Sequence, residues 1–302
     1  MSIDLNGRVA IVTGAGGGLG RAHALLLASR GAKVLVNDLG GGVGGDGQDL
    51  SAAQRVVEEI TAGGGEAFAN GASVTDSAAV EAMVAEAIER WGRVDILVNN
   101  AGILRDKSFA KMTLEDFRIV VDVHLMGAVN CTKAVWEIMR QQDYGRIVMT
   151  TSSSGLYGNF GQSNYGAAKM ALVGLMQTLA LEGARNNIKV NCLAPTAATR
   201  MVEGLMPPEI LAHLKPEAVS PALLALVRED APTRAILCAG AGAFEHAFVT
   251  LTQGVFVGTG DGAAEQIAER WDEITDRSGE VIPGSGEEQG RLELTKAMSA
   301  AK

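Results

Sequence analysis

The sequence predicts an α/β fold built on a doubly wound parallel sheet. Short apolar runs rich in β-branched residues alternate with helical patterns through about the first two hundred of its 302 residues. A glycine-rich turn joins the first of these strands to a helix, and small polar residues follow a later strand. Together, these three observations are typical of a Rossmann-like sheet. We expect one domain over residues 1–260, with a C-terminal helix and tail over 261–302 packed on it or trailing from it.

The predicted elements follow from hydrophobic periodicity and from the turn residues between them. Strands are expected at residues 9–13, 32–37, 66–70, 96–99, 147–149 and 189–193. Helices are expected at residues 21–30, 51–62, 76–91, 114–140 and 167–181, and Asp76 is expected to cap the third of them. The glycine-rich segment 40–50 predicts a surface loop, with a flap over a bound ligand as the alternative.

The last hundred residues have a looser pattern. The prolines within residues 201–221 indicate either a mobile lid over a substrate or a stiffened surface excursion. A β-hairpin is expected at residues 247–257, turning near Gln253 and Gly254, and a helix is expected at 263–275. The tail from Gly284 is expected to be less ordered.

Composition and charge exclude several classes of function. A net charge of −9 is the wrong sign for a nucleic-acid-binding surface. The three cysteines are far apart and lack metal-ligand spacing, so we expect reduced thiols and no metal site. No apolar run is judged long enough to span a membrane, and the first residues do not have the pattern of a secretory signal. We therefore expect a soluble cytoplasmic protein that binds neither nucleic acid nor membrane.

A glycine turn between the first strand and the first helix predicts a phosphate site. Free N–H groups at a helix N-terminus attract anions, and glycine permits close backbone approach, so Gly14, Gly18, Leu19 and Gly20 are expected to contact a dinucleotide. Asp38 ends the second strand, where a carboxylate can accept hydrogen bonds from the adenosine ribose and repel a 2′-phosphate. This favours NAD over NADP. The alternative is that Asp38 only begins a turn.

Ser152, Tyr165 and Lys169 form a candidate acid/base group. Tyr165 and Lys169 are four residues apart, so on a helix they share one face. A neighbouring ammonium favours the phenolate and would lower the pKa of Tyr165 from its usual value near 10. Ser152 lies thirteen residues earlier, after a predicted strand, and its hydroxyl could converge on the same point. The alternative is an ordinary exposed helix pair.

The order of these motifs resembles that of the short-chain dehydrogenase/reductase family over roughly the first 240 residues. The glycine turn at 13–20, Asn-Asn-Ala-Gly at 99–102, Ser152 and the Tyr165/Lys169 pair appear in family order. The resemblance implies that Ser152 holds the substrate oxygen and that Tyr165 exchanges its proton. It also implies that Lys169 lowers the pKa of Tyr165 and binds the nicotinamide ribose. Further cofactor contacts are implied at Asn100, Ala101, Gly102, Ser73, Val74, Pro195 and Thr199.

A narrower resemblance concerns the segment from Tyr157 to Tyr165. It looks like the dehydrogenase portion of peroxisomal multifunctional enzyme type two, a branch that handles (3R)-hydroxyacyl-CoA thioesters. His124 stands where most members of the wider family carry asparagine, and this branch is similar in using histidine there. The implied role of His124 is to help hold a water in the proton relay, and the alternative is a core histidine without a catalytic part.

The resemblance implies an NAD-dependent enzyme that interconverts a secondary alcohol and a ketone, most specifically (3R)-hydroxyacyl-CoA and 3-oxoacyl-CoA. A 3-oxoacyl carrier-protein reductase and a hydroxysteroid dehydrogenase of the same fold are alternatives, and a non-catalytic dinucleotide sensor is a remote one. The expected partner is a small-molecule substrate, an acyl-CoA by this resemblance. Fold-level analogy predicts a homodimer or homotetramer.

Overall fold

The computed structural model describes residues 2–41, 44, 49–198 and 207–300. The chain separates into two compact units, Met1–His246 and Ala247–Lys302. The described strands are β1 Val9–Thr13, β2 Lys33–Asn37, β3 Ala67–Asn70, β4 Ile96–Asn99, β5 Gly145–Thr150, β6 Ile188–Thr196, β7 Ile236–Gly240 and β8 Ala243–Ala247. The described α-helices are α1 Gly18–Ser29, α2 Ser51–Ala62, α3 Ser77–Trp91, α4 Leu114–Val121, α5 Gly127–Gln142, α6 Ser153–Tyr157, α7 Ser163–Glu182, α8 Pro208–Leu211, α9 Ser220–Val227, α10 Ala263–Glu269, α11 Trp271–Thr275 and α12 Gly286–Ala300.

The strands form one sheet in the order β3-β2-β1-β4-β5-β6-β7-β8, and the pairings from β3 to β7 are all parallel. Strands β2 and β3 lie on one side of β1, and strands β4 to β8 lie on the other, so the strand order reverses between β1 and β4. This reversal opens a crevice at the carboxyl ends of β1 and β4. Strands β1, β4 and β5 are buried throughout, as expected for a parallel sheet covered by helices on both faces. The predicted doubly wound fold is confirmed.

Local sequence signals account for several helix boundaries. Asp76 accepts hydrogen bonds from the N–H groups of Ala78 and Ala79, at 3.0 and 3.1 Å, so it caps α3 as predicted. Gly92 ends that helix with φ at 75°, a conformation that costs glycine little. Helix α1 begins at Gly18 instead of residue 21, and α7 begins at Ser163 instead of 167. Both early starts bring predicted site residues into the first turn of a helix.

The predicted helix at 114–140 is interrupted. Helices α4 and α5 are separated by a π-helical turn, Asp122–Met126, which contains His124. Single π turns within helices are frequent at functional sites. This turn places His124 in the interior, where it is 3% exposed.

Predictions for the last hundred residues were partly wrong. The hairpin lies at β7 and β8 and turns through Ala241 and Gly242, both with positive φ, so it precedes the predicted 247–257. The predicted helix at 263–275 is divided into α10 and α11, and α12 forms where a less ordered tail was expected. The proposed lid falls largely on residues 199–206, which lie outside the described residues.

The second unit contains α10, α11, α12 and an antiparallel bridge between Leu251 and Val281. None of its described residues is fully buried. In the first unit, the stretch Glu209–Val227 is long and apolar enough to cross a membrane by length and composition alone, so the expectation that no run reaches this length was wrong. It is divided into α8, a 3-10 turn at Pro216–Ala218 and α9, and six residues of α9 are buried in the protein. The buried apolar residues of α9 contribute to the hydrophobic core.

Candidate active site

A cavity of about 410 Å³ opens at the carboxyl ends of the central strands. Its volume lies in the range of small-molecule and cofactor sites. Most of the site residues predicted from the sequence line it, namely Gly14, Gly18, Leu19, Gly20, Asp38, Ser73, Val74, Asn100, Ala101, Gly102, His124, Tyr165, Lys169 and Pro195. Ser152 is not among the lining residues but shares a side-chain hydrogen bond with Tyr165, and Thr199 is outside the described residues.

The glycine turn is packed so closely that side chains are excluded from two of its positions. Gly14 has φ at 62°, and an added Cβ there would lie 2.8 Å from Cα of Ala101. An added Cβ at Gly20 would lie 2.2 Å from the carbonyl oxygen of Gly14. These glycines therefore let the turn between β1 and α1 approach both its own backbone and the floor of the cavity.

Replacing Gly20 by alanine should therefore destabilise the fold. The added methyl meets backbone that cannot move as a side chain could, so we expect a loss of roughly 2 kcal/mol or more in the free energy of unfolding. Gly17→Ala is the matched control, because Gly17 has extended backbone and an added Cβ meets no atom within 4 Å. Urea unfolding of both variants checks this prediction, and equal stabilities would contradict it.

Thr13 and Asn100 tie the glycine turn to the end of β4. The hydroxyl of Thr13 accepts hydrogen bonds from the N–H groups of Asn100 and Ala101, each at 3.0 Å. The side-chain amide of Asn100 donates to the carbonyl oxygens of Thr13 and Gly14, at 2.9 and 3.0 Å. Buried polar groups that satisfy one another in this way hold the two loops in one arrangement.

Asp38 is held at the rim of the cavity by backbone donors. Its carboxylate accepts hydrogen bonds from the N–H groups of Gly16 and Gly40, each at 2.7 Å. Asp38 therefore begins a turn, which was the alternative to ribose binding in the sequence prediction. Asp38 also lines the cavity, as ribose recognition requires. Val74 also lines the cavity, and its carbonyl oxygen accepts a hydrogen bond from the Asn130 amide at 2.9 Å.

These features fit a dinucleotide. Gly14 and Gly20 line the cavity at positions where the backbone packs too closely for a Cβ, and the first turn of α1, which also lines the cavity, has free N–H groups. Asp38 supplies the hydrogen-bond acceptor expected beside an adenosine ribose. Lys169 and Tyr165 line the same cavity and would lie beside the nicotinamide end of such a molecule.

Ser152, Tyr165 and Lys169 converge as predicted. Ser152 ends the passage from β5 and caps α6, accepting a hydrogen bond from the N–H of Ser154 at 3.2 Å. A side-chain hydrogen bond joins Ser152 and Tyr165. Nζ of Lys169 lies 5.4 Å from the centre of the Tyr165 ring and donates to the carbonyl oxygen of Thr150 at 2.5 Å.

The electrostatic relation between Tyr165 and Lys169 differs from the prediction. Burial raises the pKa of Tyr165, and its hydrogen bond with Ser152 opposes this rise. Burial also lowers the pKa of Lys169 to about 7, so much of its charge is lost at neutral pH. The expected lowering of the pKa of Tyr165 by Lys169 is therefore not found, because burial dominates both groups.

Lys169 should make the stability of the protein depend on pH between about 7 and its ordinary pKa of 10.5. In this interval the unfolded lysine binds a proton that the folded one has released, so the free energy of unfolding rises with pH. Below the interval both states are protonated, and this gain is absent. Lys169→Met should remove that part of the pH dependence.

Urea unfolding at several pH values checks the prediction for Lys169. Lys133→Met is the control, because Lys133 is exposed on α5 and loses the same charge. An unchanged pH dependence in Lys169→Met would contradict the prediction.

His124 lies beside Tyr165 in an edge-to-face arrangement, with ring centres 5.1 Å apart. Its Nε2 atom lies 3.1 Å from the N–H nitrogen and 2.8 Å from the carbonyl oxygen of Ile103. Gly102 is required beneath the ring, since an added Cβ would lie 2.1 Å from Cε1 of His124. Burial, followed by the charge of Lys169, holds the pKa of His124 well below its usual value, so the ring is neutral.

Several cavity residues were not predicted from the sequence. They include the backbone neighbours of predicted positions and residues of the π turn, namely Gly17, Asn37, Leu39, Gly41, Ala72, Thr75, Ile103, Ile119, Asp122, Val123 and Thr150. The positions of Asp122 and Val123 depend on the π turn, which hydrophobic periodicity does not reveal. Thr13, which ties the glycine turn to β4, could have been predicted from the sequence, because it directly precedes the recognised glycine turn.

The crossover crevice, the glycine turn and the Tyr165/Lys169 pair define an oxidoreductase of the dinucleotide-binding class. A family model described as short chain dehydrogenase matches residues 8–209. The chain belongs to the short-chain dehydrogenase family. Enzymes of this family are NAD(H)-dependent oxidoreductases of CH–OH groups, and the resemblance seen in the motifs is confirmed.

Three known proteins illustrate the similarity. The chain is 48% identical to peroxisomal multifunctional enzyme A of Dictyostelium discoideum over 289 residues, covering 95% of this chain and 64% of that protein. It is similar to the structure of full-length peroxisomal multifunctional enzyme type 2 from Drosophila melanogaster, with TM-score 0.80, 39% identity, and coverage of 98% of this chain and 50% of that one. A 7α-hydroxysteroid dehydrogenase complexed with NADH and 7-oxo glycochenodeoxycholic acid has TM-score 0.72 and 31% identity, with coverage of 80% and 95%.

Proposed function

We propose that the protein catalyses the NAD-dependent interconversion of (3R)-hydroxyacyl-CoA and 3-oxoacyl-CoA. The observation that carries this proposal is the joint presence of the Ser152, Tyr165 and Lys169 group and a sequence 48% identical to a peroxisomal multifunctional enzyme over 95% of the chain. The chain spans 64% of that relative, so the substrate is carried over as a proposal only. The segment from Tyr157 to Tyr165 supports the same branch.

In the proposed mechanism, the phenolate form of Tyr165 takes the proton of the substrate hydroxyl and becomes the phenol as the carbinol carbon loses its hydride. Ser152 holds the substrate oxygen and, through its hydrogen bond with Tyr165, favours the phenolate. Lys169 adds positive charge near the phenol ring when it is protonated. Bound NAD supplies the hydride acceptor. His124 contacts the backbone of Ile103 through Nε2 and so holds this backbone beside the reacting groups.

Assays with a substrate panel test the proposal. The panel contains (3R)- and (3S)-hydroxyacyl-CoAs of several chain lengths, a hydroxysteroid and simple secondary alcohols, each with NAD and NADP. We expect the highest kcat/KM for a (3R)-hydroxyacyl-CoA with NAD. Preference for the (3S) epimer, or for a free alcohol over every thioester, would overturn the substrate assignment. Binding of NADH without turnover of any substrate would favour a dinucleotide sensor.

A hydroxysteroid is the second candidate substrate. The observation that favours it is the likeness to the 7α-hydroxysteroid dehydrogenase, which covers 80% of this chain at 31% identity. The higher identity to a multifunctional enzyme, 48%, favours the acyl-CoA. The same panel separates the two candidates, because a steroid preference appears directly as a larger kcat/KM.

Assembly and location are further proposals. We propose a homodimer or homotetramer by analogy with the fold, which light scattering of the purified protein tests. We also retain a cytoplasmic location, although the multifunctional relatives are named peroxisomal. Microscopy of the tagged chain in its own cell tests this location, and concentration in peroxisomes would overturn it.

A further inference from the structure

Asn164 immediately precedes Tyr165 and is 0% exposed. Its side-chain nitrogen donates hydrogen bonds to the carbonyl oxygens of Arg105 and Asp116, at 3.1 and 3.3 Å. Its side-chain oxygen accepts a hydrogen bond from the N–H of Tyr165 at 2.7 Å. One buried amide therefore binds three backbone groups from three separate parts of the chain, and one of these groups belongs to Tyr165.

The bond to Tyr165 satisfies a donor that the helix leaves free. Tyr165 lies in the first turn of α7, where N–H groups have no acceptor within the helix. The residue before this helix, Gln162, makes no side-chain capping bond. Asn164 supplies the acceptor instead, and this fixes the backbone of Tyr165 from inside the protein.

The bond to Arg105 reaches a segment that also holds His124. Two residues before Arg105, the backbone of Ile103 contacts Nε2 of His124 at 3.1 and 2.8 Å. The His124 ring in turn packs edge-on against Tyr165, at 5.1 Å between centres. The contacts therefore form a closed circuit through Asn164, the 103–105 backbone, His124 and Tyr165.

Other bonds join the same segment to the start of α7, but they are more exposed. The Gln162 amide donates to the carboxylate of Asp106 at 2.6 Å, and the N–H of Lys107 donates to the carbonyl oxygen of Gly161 at 2.9 Å. Exposed hydrogen bonds compete with water and constrain a loop weakly. Among the residues whose side chains make these bonds, Asn164 is the fully buried one.

We propose that Asn164 is a positioning residue that sets the orientation of Tyr165 relative to His124 and to the substrate oxygen. Asn164 does not touch the reacting atoms. It acts by holding the first turn of α7 and the 103–105 backbone at a fixed separation, because each of its polar groups is committed to one of these elements or to α4. Its kinetic consequence rests on the proposed function.

The chain offers a closely matched control in Asn191. This asparagine of β6 is also 0% exposed, its nitrogen lies 2.8 Å from the carbonyl oxygen of Pro232 and 3.4 Å from that of Leu226, and its oxygen accepts from the N–H of Ala235 at 3.0 Å. It does not line the cavity. Asn164→Ala and Asn191→Ala therefore remove the same pattern of buried bonds, once beside Tyr165 and once away from it.

The kinetic test compares kcat, KM and NADH affinity for both variants, per folded protein. We expect Asn164→Ala to lower kcat about tenfold, since small errors in the position of a reacting group lower the rate steeply. KM and the Kd for NADH should stay within about twofold. Asn191→Ala should keep kcat. Equal kcat losses in both variants, or a tenfold loss of NADH affinity in Asn164→Ala, would overturn the proposal. If the alanine variant does not fold, Asn164→Ser is judged by the same criteria.

A second readout does not depend on turnover. The chain has three tyrosines, so protein labelled with ¹³C in the tyrosine ring gives a simple spectrum in which Tyr165→Phe identifies one signal. We expect the Tyr165 signal to move in Asn164→Ala and to stay in place in Asn191→Ala. An unmoved signal in Asn164→Ala overturns the inference whatever the activity. If the wild-type protein shows no turnover, the proposed function is refuted. The shift of the Tyr165 signal then still tests whether Asn164 positions Tyr165.

Discussion

Tyr165→Phe should lower kcat about 100- to 10,000-fold, the range that a positioned acid/base group contributes. The ring of Tyr165 lines the cavity, shares a side-chain hydrogen bond with Ser152 and lies near Nζ of Lys169. Phenylalanine keeps the ring and its edge-on contact with His124 but removes the hydroxyl that exchanges the proton. The Kd for NADH should change by less than about twofold, because a single edge hydroxyl contributes little to binding a dinucleotide.

The measurement combines steady-state kinetics with NADH fluorescence titration on the same preparation. Tyr157→Phe is the matched control, because Tyr157 is 73% exposed and loses the same hydroxyl. It should keep kcat within about threefold, in the range expected of an exposed substitution. Near-normal turnover in Tyr165→Phe would remove Tyr165 from the mechanism, and a parallel loss in Tyr157→Phe would show that the effect is not specific.

Asp38→Ser should raise the ratio of kcat/KM for NADP to that for NAD about 100-fold. Asp38 lines the cavity and is held there by the N–H groups of Gly16 and Gly40, and we propose that it binds the adenosine ribose. A carboxylate within about 4 Å of a 2′-phosphate costs a few kcal/mol at the edge of a protein, which corresponds to a hundredfold or more in affinity. Serine removes this repulsion and leaves a donor for the phosphate, while the NAD ribose loses an acceptor.

Kinetics with both cofactors at fixed substrate check the prediction for Asp38. Asp4→Ser is the control, because Asp4 is exposed, does not line the cavity, and loses the same charge. Its cofactor ratio should stay at the wild-type value. An unchanged ratio in Asp38→Ser would mean that the adenosine ribose is recognised elsewhere.

The sequence alone predicted the parts of the fold that repeat a strong local pattern. Strand β1, the glycine turn and α1 follow one another within about twenty residues, and each has its own signal in periodicity or in turn chemistry. The parallel order of the sheet followed from the alternation of strands and helices, since parallel neighbours need a crossover connection. The cavity residues that were predicted lie mostly in turns after these strands, whereas residues of the π turn such as Asp122 and Val123 were not predicted.

The sequence was less informative where tertiary packing overrides local preference. Strand β7 contains alanine and glycine, which are weak strand formers, and it is stabilised by its pairing with β6. The π turn contains His124, which contacts Ile103 and Tyr165, and hydrophobic periodicity does not reveal such distant contacts, so it predicted one long helix. Helix α12 contains Gly286 and Gly290, which have low helix propensity, and this accounts for the wrong prediction of a less ordered tail.

The site shows the same division. The identities of Ser152, Tyr165 and Lys169 were visible in their spacing, but their pKa values were not, because these depend on burial that spacing does not reveal. Asn164 also has no signal of its own in the sequence. Its importance appears only when Arg105 and Asp116, which are distant in the chain, are found to accept its hydrogen bonds.

Transfer of deuterium tests the central claim most directly. A (3R)-hydroxyacyl-CoA carrying deuterium at carbon 3 is incubated with NAD and the purified protein, and the isolated NADH is analysed by mass spectrometry. We predict that each turnover places one deuterium in NADH and that Tyr165→Phe forms almost none in the same time. NADH without deuterium, or labelled NADH formed as fast by Tyr165→Phe as by the wild type, would contradict the proposed reaction and the role of Tyr165.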